Sequence, residues 1–374
     1  MESRVVVVHA DSDPIKGIAN PGPHQTYKNP RISVENRMLP ALRPDEVRVK
    51  MIYAGVCGTD VHLVTANPNT GYIQCSAPAE IPPTGRVIGH EGVGKVLEVG
   101  SHVHHVQPGA WVTFESIIVC HYCDECRRGD FNQCRHALLL GMEKDGLFGG
   151  IVDVPAMLTH DVTEMAKSEE GLRSAACVEP AGVAYVACQN THLGAGDVVV
   201  IFGAGPIGLL AAMLSKVVFG AFQVHIVEPI PFRRKIAEKW GDEIYDIDEF
   251  FNHGPSSIDV VMEASGNMGN INRVFRRLNA NGRVAILGRS GEPLLLDAVD
   301  HMITNAVSLI GSRGHLGGAF AKILSLCRNG RLSIDDAVTD IINGPEEICN
   351  LLKSPGKLFE ENCKVLVNFD ADRT

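Results

Sequence analysis

Val198-Val199-Val200-Ile201-Phe202-Gly203-Ala204-Gly205-Pro206-Ile207-Gly208 is the stretch that decides the architecture. Five successive apolar residues, mostly β-branched, read as a parallel strand buried on both faces. The glycines that follow at once let the chain turn tightly and let a pyrophosphate approach the N–H groups of a helix N-terminus, whose dipole favours anions. Gly203, Gly205 and Gly208 carry that pattern, Pro206 and Ile207 fill it, and an apolar helix runs on to Phe219. Val224-His225-Ile226-Val227-Glu228 is the next strand, and its acidic end comes twenty residues after Gly208. A glycine pattern alone is weak. Strand, glycines, helix, strand and acidic terminus in that order predict a dinucleotide-binding βαβ unit. Glu228 is placed to bind the ribose hydroxyls and repel a 2′-phosphate, which favours NAD. Arg233 and Arg234, close behind it, soften that preference and leave NADP possible.

Further strands recur at αβ spacing: Ile258–Glu263, Gly282–Gly288 and Ser308–Gly311, with helical stretches around Arg233–Trp240 and Met268–Leu278. This is the pattern of a doubly wound sheet. Ala319–Arg328 reads as a helix and Lys364–Phe369 as a strand. A six-stranded dinucleotide fold is already complete without that tail, so the tail is expected to return to the first half of the chain.

Upstream the period changes. Arg4–Val8 and Glu46–Met51 read as strands, the second with period-two alternation. Cys57 follows, in Val56-Cys57-Gly58-Thr59-Asp60-Val61-His62, and then a polar, Pro-rich loop from Thr65 to Thr84. Gly89-His90-Glu91-Gly92 turns into the next strand, and Val178-Glu179-Pro180 lies further on. One thiol, one imidazole and carboxylates are donors that zinc accepts, and a catalytic site uses three protein ligands with one position open. Between these segments stands Cys120-x2-Cys123-x2-Cys126-x7-Cys134. Four thiols at such short spacing can close a tetrahedral structural zinc site within one small lobe.

Bulk properties narrow the class. The 374 residues suffice for two domains. A net charge of −10 argues against binding a phosphate backbone. No apolar run approaches the ~18 residues of a membrane span, and the start of the chain lacks the basic and apolar segments of a secretory signal. Eleven cysteines cannot all pair, and clustered cysteines in a reducing cytosol read as metal ligands. The expected setting is cytoplasmic, with a small hydroxylated substrate and neither nucleic acid nor membrane as partner.

The Cys57–His62 stretch, Gly89–Gly92, the four-cysteine lobe and Gly203–Gly208 together resemble the zinc-dependent alcohol dehydrogenases of the medium-chain dehydrogenase/reductase family, over nearly the whole chain. The resemblance implies an α/β chain: a GroES-like β-barrel catalytic domain (1–181), a Rossmann NAD-binding domain (182–321) and a return to the catalytic domain (322–374). It implies two zinc ions, one catalytic and one structural. Cys57 and His90 resemble the first two catalytic ligands and Glu179 the third, where simple alcohol dehydrogenases carry a cysteine. That departure is closer to the sorbitol, polyol, threonine and sugar dehydrogenases. Glu91 matches a glutamate that can approach the metal. Asp60 resembles the carboxylate that orients the histidine, and Thr59 and His62 the proton relay. The implied reaction is hydride transfer between a secondary hydroxyl of a polyol, sugar or cyclitol and NAD or NADP. Simple alcohol or L-threonine-type oxidation is the alternative. A zinc-free reductase and a non-catalytic member are disfavoured by the complete ligand set. A homo-oligomer, tetramer or dimer, follows by the same analogy.

Overall fold

In the computed structural model, which describes residues 1–291 and 293–370, Val198–Phe202 pairs in parallel on both sides, with Gln223–Val227 and with Ile258–Glu263. Val199 to Phe202 are fully buried, which is why this strand is apolar without alternation. The sheet has six parallel strands in the order Glu243–Tyr245, Gln223–Val227, Val198–Phe202, Ile258–Glu263, Leu278–Ile286 and Ser308–Gly311. Its core includes Phe202, Phe250, Phe275 and Val284. The fifth strand starts earlier than the expected Gly282 because Leu278 already pairs with Ile258, with a register shift before Val260. The helix expected over Met268–Leu278 is α-helical only from Gly269 to Val274 and then tightens to a 3₁₀ turn.

Contacts divide the chain into two units. One holds Met1–Glu179, Val338–Leu358 and the chain from Lys364 onward; the other holds Pro180–Ala337 and Phe359–Cys363. These bounds stand beside the expected ones at 181/182 and 321/322.

The first unit is β-rich. Glu2–Ser12 and Tyr27–Met38 form a long antiparallel hairpin. A seven-stranded sheet runs Thr159–Asp161, Trp111–Phe114, Glu91–Val99, Glu46–Gly55, Lys364–Asn368 and Val338–Asn343, with Ile151–Pro155 also paired to Glu46–Gly55. The tail strand therefore returns to this unit, antiparallel to Glu46–Gly55 and parallel to Val338–Asn343. Val365, Leu366 and Val367 are fully buried.

Candidate active site and metal centres

Cys57 and His90 enter the site on separate segments that one carboxylate ties together. Cys57 is the N-cap of the short helix Gly58–Val64. Asp60, fully buried at the third helical position, accepts from Cys57 N at 2.9 Å and from Gly89 N at 3.3 Å. Burial raises the pKa of Asp60, while His90 and the Cys57 N–H act the other way. Asp60 Oδ1 lies 3.9 Å from His90 Nδ1, too long for a hydrogen bond, and that nitrogen is buried without a partner. Ligand atoms of Cys57, His90 and Glu91 all lie within 4.8 Å of one another. Burial pushes the His90 imidazole down in pKa, but the neighbouring Cys57 sulfur, Asp60 and Glu179 overcome it and hold it well above the ordinary value. The negative field that favours an imidazolium here equally favours a metal cation. A half-buried thiol, an imidazole with an unpartnered nitrogen and a carboxylate form a donor set that fits zinc.

Glu179 stands outside that close grouping. It is buried, and its Oε1 accepts from Ser116 Oγ at 2.9 Å, while its charge still reaches His90. Two carboxylates are thus near the imidazole, and the structure places Glu91 rather than Glu179 in the compact set. Glu91 in turn is ion-paired with Lys364, and both are buried. Sequence reading missed Lys364 and Ser116. A lysine opening an apolar strand looks like a solvated strand end, and its partner is 273 positions away.

Thr59 and His62 lie three positions apart on the helix Gly58–Val64, a spacing that puts both on one face. Thr59 Oγ1 is 3.7 Å from Cys57 Sγ. Burial lowers the pKa of His62, so its imidazole is neutral near pH 7 and able to accept a proton.

The four-cysteine lobe closes on itself. The recorded separations are 4.0 Å for Cys120–Cys126, 3.9 Å for Cys123–Cys134 and 3.6 Å for Cys134–Cys120. A tetrahedron of Zn–S bonds near 2.3 Å has an S···S edge of about 3.8 Å, so the sulfurs already hold that shape. Disulfides would need about 2.05 Å, and none of the eleven cysteines is in a disulfide. Cys120 N donates to Cys134 Sγ and Cys123 N to Cys120 Sγ, both at 3.4 Å. Burial, then the sulfurs of Cys123 and Cys134, push the Cys126 thiol up to about 12. Four adjacent thiols cannot all ionise without a cation among them.

In the second unit Gly203 adopts φ 95°, and a Cβ on it would meet Ser265 Cα at 3.1 Å. A Cβ on Gly208 would overlap the Gly203 carbonyl. Pro206 opens the helix Pro206–Val217. Glu228 is buried, with Oε2 accepting from Ala204 N at 2.6 Å and Oε1 from Ile230 N at 2.9 Å. The carboxylate expected to bind ribose is thus first a brace for the glycine turn. Each oxygen keeps lone-pair capacity for a further donor. Arg233 Nη1 comes within 3.7 Å of where a Gly205 Cβ would stand, and its Nε donates to Asn362 O at 2.9 Å.

The Thr65–Thr84 loop is anchored. Ile73, Cys75 and Ile81 are buried in the core of the first unit. Two of its polar groups serve the fold: Asn67 Oδ1 accepts from Asn69 N and Thr70 N, and Tyr72 OH donates to Asp13 O at 2.8 Å. An asparagine two residues before a tight turn satisfies the turn's own N–H groups.

Two family models match the chain. Alcohol dehydrogenase GroES-like domain covers residues 43–166, and zinc-binding dehydrogenase covers residues 206–329. An L-threonine 3-dehydrogenase of Pyrococcus abyssi is 31% identical, over 82% of this chain and 86% of that protein. A scyllo-inosose 3-dehydrogenase of Thermotoga maritima is 29% identical, over 82% of each. The crystal structure of 2R,3R-butanediol dehydrogenase from Bacillus subtilis superposes with a TM-score of 0.78 at 25% identity, covering 98% of this chain and 99% of that one.

Proposed function

The chain belongs to the zinc-binding, GroES-like alcohol dehydrogenases, and we propose that it oxidises a secondary hydroxyl of a polyol, sugar or cyclitol to the ketone with NAD, or NADP, as hydride acceptor. The observation that carries the substrate class is the donor set: one thiol, Cys57, with His90 and a carboxylate. Oxygen in place of a second sulfur leaves a bound zinc harder and more Lewis-acidic, which suits a substrate rich in hydroxyls. Relatives act on a cyclitol ketone, a diol and a hydroxy amino acid, as their names state.

Cys57, His90 and Glu91 or Glu179 would hold the catalytic zinc, and Cys120, Cys123, Cys126 and Cys134 the structural one. When bound, the catalytic zinc lowers the pKa of a coordinated hydroxyl. The dinucleotide supplies the hydride acceptor. Thr59 takes the hydroxyl proton and hands it to the neutral His62, a general-base relay. Asp60 fixes the Cys57 and Gly89 backbones so that thiol and imidazole converge. Gly203, Gly205, Pro206, Ile207 and Gly208 receive the pyrophosphate at the helix N-terminus, with Glu228 and Arg233 beside it.

Among the described residues no helix is long and apolar enough to cross a membrane. A reducing compartment such as the cytosol suits eleven cysteines of which none is in a disulfide. A homo-oligomer is supported by Ser308–Gly311, the outermost strand of its sheet, preceded by exposed Leu295 and Ile303; such edges are normally covered.

The test compares kcat/KM for sorbitol-, glucose- and inositol-like substrates, threonine, ethanol, propanol and benzyl alcohol, each with NAD and NADP. Polyols or cyclitols are expected to exceed the simple alcohols by about tenfold or more, since a site built to hydrogen-bond hydroxyls rejects analogues lacking them. A tenfold advantage for ethanol or propanol would make the protein an ordinary alcohol dehydrogenase. A threonine advantage would move it to the amino-acid branch.

A further inference from the structure

The strand that returns from the far end of the chain brings a cation to the ligand cluster. In the antiparallel register Leu366 lies opposite Gly55, and Val56 N continues the ladder by donating to Val365 O at 3.0 Å. Two residues further on, Lys364 falls opposite Cys57. Its Nζ donates to Val56 O at 2.9 Å and pairs with Glu91 Oε2. Both side chains are 1% exposed, a degree of burial that lysine and glutamate reach only when paired. Gly55 makes room for them: a Cβ there would overlap the Glu91 carboxylate and lie 2.8 and 2.9 Å from Lys364 Cε and Nζ. The other carboxylate oxygen, Oε1, faces His90 Nε2 at 3.9 Å.

Glu91 therefore has one oxygen on an ammonium and one toward the metal position. We propose that Lys364 is a positioning residue that decides whether Glu91 ligates the catalytic metal, holding its charge back so that a coordination position stays available to substrate. The inference rests on the reading of Cys57 and His90 as metal ligands. Coulomb attraction gives its direction. Cys57, Asp60, Glu91 and Glu179 are the acidic side chains around His90, and Lys364 is the cation set against them. Without that cation Glu91 turns fully to the metal, and a divalent ion is held more tightly.

The experiment uses the full-length chain with Lys364→Met, Glu91→Gln and the double substitution, read as differences from Cys57→Ser, which removes a catalytic-site ligand. Zinc affinity is measured by chelator competition, and the visible spectrum is recorded after cobalt(II) replacement. Lys364→Met is expected to bind zinc roughly tenfold more tightly, at the low end of effects of groups behind metal ligands. Its cobalt spectrum should weaken as a fifth donor joins a four-coordinate ion. In the Glu91→Gln background the same substitution should leave the spectrum unchanged. A bound metal whose spectrum ignores Lys364→Met, or responds equally in both backgrounds, overturns the inference alone. A parent chain with no Cys57-dependent metal overturns the metal reading and this inference with it. Lys364→Gln, which keeps two N–H donors and loses the charge, carries the same readout if Lys364→Met does not fold.

Discussion

Asp60 shows how a candidate site can be held by a residue that ties its segments together through their backbones. Its two oxygens take N–H groups from Cys57 and Gly89, residues 32 positions apart in sequence. Replacing it with asparagine turns one accepting oxygen into a donor facing an N–H group, so one of the two ties is lost. Asp60→Asn is expected to lower zinc affinity and kcat/KM together, by roughly 10- to 100-fold, with an unchanged melting profile for the second unit; metal titration and kinetics on one preparation check it. His225 gives a second residue-level expectation. It is buried on the strand Gln223–Val227, beside Tyr245. Burial lowers its pKa below the ordinary 6.5, against the pull of Asp242 and Glu243. Below about pH 6.5 the unfolded chain takes up a proton here that the native one refuses, so stability falls as pH drops, by at most about 1.4 kcal/mol per pH unit. Urea unfolding of the second unit at pH 7.5 and 5.5 should show the loss, and His225→Phe should reduce it.

Elements differ in how openly their residues announce them. Val198–Phe202 is legible to the residue because a buried parallel strand is a continuous apolar run, while Ile258–Glu263 and the partly buried edge strand Ser308–Gly311 are legible from their αβ spacing. The cysteine lobe is legible because all four donors fall within fifteen residues, Cys120 to Cys134. The Lys364–Glu91 pair and the Ser116–Glu179 bond were not, since no local pattern links groups that meet only after the sheet forms. Glu228 was read for its ligand and not for its brace, because backbone acceptance at Ala204 leaves no mark in the sequence. The lobe also yields a prediction. Cys123 and Cys134 are buried, and the segment between them has the short helix Asp124–Arg128, one 3₁₀ turn at Phe131–Gln133 and exposed pairs such as Arg128–Asp130; exposed pairs contribute little. Metal binding must supply its folding energy. Cys123→Ser should therefore reduce zinc from two to one per chain and make the 120–134 segment the first site of proteolysis, as metal analysis and limited digestion would show. A Cys123→Ser chain that still holds two zinc ions and resists protease would remove the structural site from the account.

At the scale of the whole molecule, the chain leaves its first unit at Glu179 and comes back to complete it. The final strand, Lys364–Asn368, lies between Glu46–Gly55 and Val338–Asn343, so it is an interior member of the sheet and not an edge. It buries Val365, Leu366 and Val367 completely, worth about 2 kcal/mol each. That sum is comparable with the whole 5–15 kcal/mol stability of a typical domain, before the lost ladder hydrogen bonds are counted. A chain ending at Cys363 keeps all of the second unit, including the Asn362 carbonyl that receives Arg233 and the Cys363 thiol that donates to Ala204 O. Calorimetry of that shortened chain should show the first unit's transition lost or moved to much lower temperature. The Cys57–His90–Glu91 metal should go with it, because the strand that frames Val56 is gone. The second unit should still melt cooperatively and still bind NAD, measured by fluorescence titration. If instead both transitions disappear together, the two units fold as one, and the reading of each as its own cooperative body is wrong. If neither changes, the return strand adds nothing to the first unit, and the burial of its three apolar residues would have to be offset elsewhere in the sheet.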